Sequence, residues 1–306
     1  MRSDIFNRNL PFILVAALFF ILSQWDTSHT VMNILALLLI LIVGIPHGAI
    51  DHLLYANTTG RSQRSFYIFY LGSMMAYAVL WMASPVIGLW SFILLSAYHF
   101  GQSQFSNHSA PIIFKRTLFL SWGLSILGAL LYHHPEEIQR YFEWIPSLQG
   151  SAEMMTDSLF GYLSLGLGIL VFLCMIYLFA IRKQDFKLLV NETLQFIGIH
   201  LVFYLFPLLP AFALYFALLH SWPVMREEYE FIKSRQSITK WSSFVKLLLP
   251  FTLFSFAGMA LLFALFYFQW TEQPQVLLLF ILIAVLTLPH SIVMEHFYDS
   301  FYADPA

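Results

Sequence analysis

Residues 31–54 read VMNILALLLILIVGIPHGAIDHLL. From Ile34 to Ile45 no side chain is polar. At 1.5 Å of rise per residue, residues 31–54 together are long enough to cross a hydrocarbon layer of about 30 Å. It then closes on Pro46, His47, Asp51 and His52. Such groups are penalised in lipid unless they face the interior of a bundle. The segment therefore reads as a membrane helix with a polar, inward-facing end.

The rest of the chain extends this reading. Of its 306 residues, 59% are hydrophobic and 10% charged, against about 25% charged in a soluble domain. Mean hydropathy is +0.73. Apolar runs of span length recur at roughly 9–25, 31–54, 66–84, 86–106, 117–132, 157–181, 188–206, 208–224, 247–270 and 275–297. No long polar stretch separates them. The expectation is an all-α, polytopic transmembrane helix bundle of about ten spans, forming one integral membrane domain over residues 1–306. Several runs exceed what a bilayer needs, so some helices must tilt or kink. Pro46, Pro85, Pro207, Pro210 and Pro250 fall at ends or kinks. Arg2 and Arg8 before an apolar run resemble the opening of a signal peptide, but no small-x-small cleavage site precedes Trp25. The first run is expected to be retained as a helix. A net charge of -2 without a basic patch gives no sign of a nucleic-acid partner, and the one cysteine, Cys174, sits in an apolar run and cannot form an internal disulfide.

Lysine and arginine alternate between rich and poor connections. Arg2 and Arg8, then Arg61 and Arg64, Lys115 and Arg116, Arg182, Lys183 and Lys187, and the group Arg226, Lys233, Arg235, Lys240 and Lys246 mark one side. The loop from Trp25 to Thr30, the turns at Ser84–Pro85 and Pro207, and the loop Thr271 to Pro274 carry none, while His133 to Thr156 has only Arg140 among acids. Positively charged loops stay in the cytoplasm. Ten spans with both termini cytoplasmic, in the inner (plasma) membrane, fit the pattern.

Of eleven histidines, His29, His108, His133 and His134 fall in loops and are expected to be solvated. His47, His99, His220 and His290 lie on four spans of the same direction, roughly 18–24 Å from the outer surface. One layer thus holds four imidazoles. Imidazole suits iron, copper, zinc and nickel. Four neutral ligands leave the metal its full charge, and an octahedral ion keeps two open positions. Asp51, four residues after His47 and on its helical face, is the expected outer partner of the ligands, and Glu295, five after His290, is a lesser one. His200 lies nearer the outer side, while His52 and His296 belong at the cytoplasmic interface. No residue is required as general acid or base. His47 and His290 each follow a proline, Pro46 and Pro289, whose kink opens room beside the next side chain.

The segments Ile45 to His52, Tyr98 to Phe105, Leu214 to Ser221 and Pro289 to Glu295 resemble the bacterial and archaeal β-carotene dioxygenases called Brp/Blh. The first two are the more specific. The resemblance implies an Fe(II) enzyme that splits β-carotene at its central double bond with dioxygen, giving two retinal molecules, with a retinal-binding rhodopsin as a user of the product. It also implies that His47, His99, His220 and His290 hold the iron. The chain departs from the family at Val224, where a further histidine often stands one turn after the residue matching His220. The substrate, a hydrocarbon dissolved in the lipid bilayer, suits an enzyme with 32 Phe, 15 Tyr and 8 Trp, although aromatic residues are ordinary membrane packing too.

Other classes fit less well. A membrane desaturase needs His-x-x-x-His and His-x-x-His-His boxes, which this chain lacks. Facing histidines could clasp a haem, which would give a red protein. A metal-ion or proton transporter with a histidine-lined path is the non-enzyme alternative, but no internal repeat or matched pair of interrupted helices supports it. A scaffold has no use for four histidines in one layer.

Overall fold

The computed structural model describes residues 5–26, 29–108, 110–182, 186–235, 238–269 and 275–303. Arg2, Lys183 and the loop Thr271 to Pro274, used above for orientation, lie outside the described residues. Among the described residues the chain is helical, with no strand. The helices are α1 (Ile5–Ser23), α2 (Thr30–Leu39), α3 (Asp51–Thr59), α4 (Gln63–Ala83), α5 (Pro85–Phe105), α6 (Ile112–His133), α7 (Pro135–Phe142), α8 (Gln149–Thr156), α9 (Ser158–Arg182), α10 (Phe186–Leu205), α11 (Leu208–Ala213), α12 (Trp222–Arg235), α13 (Trp241–Gln269) and α14 (Gln275–Ala303).

Among the described residues, seven helical stretches are long and apolar enough to cross a membrane: Thr30–Thr59, Gln63–Ala83, Ile112–His133, Ser158–Ala180, Leu208–Arg235, Trp241–Leu261 and Phe280–Tyr302. Two shorter apolar helices, Asn9–Ser23 and Leu189–Leu205, accompany them. Helix α5 covers the remaining stretch read from the sequence, and carries His99, Gln102, Ser103 and Gln104 near its end. Outward-facing apolar side chains such as Leu163, Ile169 and Leu173 on α9 are more than half exposed. A surface of that kind belongs in lipid.

Two spans are not regular helices throughout. Ile40–Gly44 is a π-helical segment, followed by a 3-10 turn at Ile45–Gly48. Pro46 has no N–H to return to the preceding turn, so the ladder must change its pitch there. A longer π segment, Leu214–Ser221, lies between Pro210 and Pro223. Periodicity at 3.6 residues cannot register either change. His47 sits on the 3-10 turn and His220 near the end of the π segment. The region from His133 to Thr156, read above as a loop, contains α7 and α8.

The chain forms two compact units, each drawn from three stretches. The first takes in residues 1–44, 97–137 and 153–224, and the second 45–96, 138–152 and 225–306. Within the first, α6 packs along α9, and the two π segments lie against each other. A Cβ at Gly44 would fall 2.7 Å from the Phe216 ring, so any larger residue there would push the ring aside. Small residues also set the α6–α9 contact, where Ser164 Oγ donates to Ser125 O at 2.8 Å and a Cβ at Gly128 would be 2.9 Å from Ser164. Close approach through small residues is how helices associate without a hydrophobic driving force. Helices α5 and α6 touch backbone to backbone. A Cβ at Gly101 would lie 1.9 Å from Phe119 O, and one at Gly123 would lie 1.9 Å from Ala97 O. These two contacts bracket His99 along α5. Within the second unit, α14 packs on both α3 and α4, and α13 packs on the 3-10 turn.

The crossing of α5 and α6 makes a stability prediction. Gly123→Ala should destabilise the detergent-solubilised protein by about 3 kcal/mol, because backbone cannot yield as a side chain can. Gly150→Ala, where a Cβ meets nothing within 4 Å, should leave the thermal midpoint unchanged. Equal midpoints for the two variants would contradict the backbone contact.

Candidate metal centre

In each unit two buried histidine rings meet edge-on, and in each such pair one ring is anchored through Nδ1. In the second unit, the 3-10 turn presents His47 and α14 presents His290. Their rings meet edge-on, with centroids 4.8 Å apart and planes at 89°. Asp51, at the start of α3, is 2% exposed. Both its carboxylate oxygens lie 3.0 Å from His290 Nδ1. The Tyr70 hydroxyl, from α4, donates to Asp51 Oδ2 at 2.9 Å. An imidazole that gives its Nδ1 proton to a carboxylate keeps the lone pair on Nε2, the arrangement found behind metal-bound histidines.

In the first unit, α5 presents His99 and the second π segment presents His220. Their centroids are also 4.8 Å apart, with planes at 81°. Ser103 Oγ lies 2.9 Å from Phe100 O and 2.9 Å from His220 Nδ1. A hydroxyl has one proton. If it goes to the carbonyl, the oxygen accepts from His220 Nδ1–H, and Nε2 again holds the lone pair. The rings of Phe100 and Phe216 flank His220, at 4.7 Å and 5.6 Å between centroids.

Three of the buried histidines, His47, His99 and His220, could hold a metal ion. His290 is outside that group of three, with its ring against that of His47. The donor set fits a borderline-soft transition metal: neutral imidazoles, buried, with two of the four rings turned by hydrogen bonds to present Nε2.

The other histidines divide differently. His200 is held through Nδ1 by Phe196 O at 2.8 Å and lies tilted against the Phe196 ring. His52 is buried and lies over Phe251, with centroids 4.2 Å apart. His296 is exposed, and Glu295 is partly so. His108 and His134 correct the expectation of solvated loop residues, since both are buried. For His134 the reason is plain. Its ring nitrogens lie 2.6 Å from Leu130 O and 2.8 Å from Phe206 O, where two helix ends leave carbonyls without helical partners.

Reading the sequence missed Tyr70 and Ser103, because each is far in sequence from the histidine it serves. It also missed Glu228 on α12, which is wholly buried and has neither carboxylate oxygen hydrogen-bonded among the described residues. A glutamate with that burial inside an apolar span is a functional candidate in its own right. The prolines at 46, 210 and 223 were visible, but not the π geometry between them.

The sequence model described as Beta-carotene 15,15'-dioxygenase matches residues 38–298. A protein named Beta-carotene 15,15'-dioxygenase, from uncultured marine bacterium 66A03, is 24% identical over 269 residues, which is 85% of this chain and 92% of that protein. No solved structure matches. The matched region begins before the first π segment and ends beyond His290, so it takes in all four histidines with Asp51, Tyr70 and Ser103, and the chain belongs to the β-carotene 15,15'-dioxygenase family.

Proposed function

We propose that this chain is a membrane-embedded, non-haem Fe(II) dioxygenase that cleaves β-carotene at its central double bond with dioxygen to give two retinal molecules. Family membership supports a carotenoid-cleaving dioxygenase. The metal reading is carried by His47, His99 and His220, three buried histidines that could hold a metal ion. His290 joins them as the fourth ligand in this reading, because it pairs with His47 and is backed by Asp51. Glu295 is the lesser outer partner. Iron(II) supplies binding and activation of dioxygen when it is present.

The residues of the chain do the rest. The four imidazoles are neutral, so the ion keeps its charge. Asp51 holds the His290 ring and Ser103 the His220 ring, which fixes which nitrogen faces the metal. Phe100 and Phe216 press on His220 and exclude water from its surroundings. The reaction needs no proton donor: one double bond and one dioxygen become two aldehydes, with no reductant and no water consumed. That agrees with a site built of ligands and apolar side chains. The substrate is soluble only in the lipid bilayer. We therefore read the chain as one membrane domain of about ten spans, in the plasma membrane with both termini cytoplasmic, able to pass retinal to a retinal-binding rhodopsin.

Expression in β-carotene-producing bacteria tests the reaction. Retinal should appear as the orange colour fades. Longer apocarotenals would overturn central cleavage, and unchanged carotene with the protein inserted and iron supplied would overturn the reaction. His99→Ala should abolish retinal formation and lower bound iron while the protein still reaches the membrane. Asp51→Asn keeps the shape but removes the charge behind His290, and should weaken iron binding roughly 10–100-fold by chelator competition.

A further inference from the structure

We infer that Tyr70 is a positioning residue of the metal centre, acting on His290 through Asp51. The inference rests on the proposed metal centre and adds a residue with no assigned role. Asp51 does not meet His290 with one oxygen. Its two oxygens are equidistant from Nδ1, each at 3.0 Å. The N–H is therefore shared across the carboxylate, an arrangement that holds only while the carboxylate plane stays fixed. Rotation about the Cβ–Cγ bond would bring one oxygen closer and carry the other away, and the imidazole would follow.

Tyr70 supplies the fixed point. Its hydroxyl donates to Oδ2 at 2.9 Å, so that oxygen accepts from both the phenol and the imidazole. The three groups come from α4, α3 and α14, and α14 packs on both of the other helices. The tyrosine ring is held in turn by Phe66, with centroids 4.9 Å apart. Donation to an ionised acceptor in a poorly solvated interior is stronger than a neutral hydrogen bond. Removing the hydroxyl should free the carboxylate, loosen the His290 ring and weaken the metal, while leaving every proposed ligand and Asp51 in place.

The test uses the full chain in detergent, loaded with cobalt(II) as a coloured probe. Tyr70→Phe should weaken cobalt(II) binding roughly tenfold by chelator competition and shift the visible ligand-field bands. Tyr77→Phe is the control. It removes a hydroxyl of the same kind from the same helix, one that donates to Gly88 O at 2.9 Å, and it should leave the bands where they are. A purely structural role for Tyr70 would lower stability without moving the bands. In the Asp51→Asn background, Tyr70→Phe should add little further loss, because both act through one path. Wild-type bands and affinity in Tyr70→Phe, or fully additive losses in the double variant, would overturn the inference while the metal centre stands. Failure of the wild-type chain to take up cobalt(II) or iron would overturn the metal centre, and the inference with it.

Discussion

A neutral imidazole buried in an apolar bundle has one N–H to give and one lone pair to place. Leaving either unmet away from water costs about 1–3 kcal/mol. That constraint organises the buried histidine pair of each unit. In His290 the N–H goes to a buried carboxylate, and in His220 it is directed to a serine hydroxyl that is itself turned by a backbone carbonyl. In both rings the lone pair is left on Nε2. The two anchors differ in strength, since Asp51 carries a charge and Ser103 does not. The two pairs are otherwise alike in spacing and edge-on contact.

The helices are distorted where this is needed. A regular α-helix presents side chains at a fixed 100° interval, and a π segment or a 3-10 turn resets that phase. His47 follows such a reset, and His220 lies within one. Both resets are next to prolines, and in the first unit the two π segments pack against each other with Gly44 admitting the Phe216 ring. His99 needs no reset. Its helix is held by the glycine contacts with α6, which leave no room for a methyl group on either side of it.

Much of this was legible in residues 31–54 and their counterparts. Long apolar runs, the scarcity of charge and single histidines within the spans indicate a helical membrane protein with buried imidazoles. Asp51 was legible as a candidate because it is a carboxylate near a histidine, yet its contact is with His290, across 239 residues, and not along its own helix. Tyr70 and Ser103 were not legible as partners, since an isolated tyrosine or serine in an apolar span is common and only tertiary packing gives it a role. His108 and His134 were misread for the opposite reason. Their neighbours look like loop, but the buried ends of helices offer carbonyls that a histidine can meet. Among the described residues, length and hydropathy alone support seven spans. Helix α5 is the instructive exception, because the polar residues that reduce its apolar character include the histidine and serine of the site.

The proposed function requires one iron held by imidazoles. X-ray absorption at the iron edge of the purified, iron-loaded chain tests it most directly, together with metal content per chain. The expected result is a single iron, a first shell of light donors and the outer-shell scattering that imidazole rings produce. A spectrum with a neighbouring metal, with sulfur ligands or without imidazole scattering would contradict it.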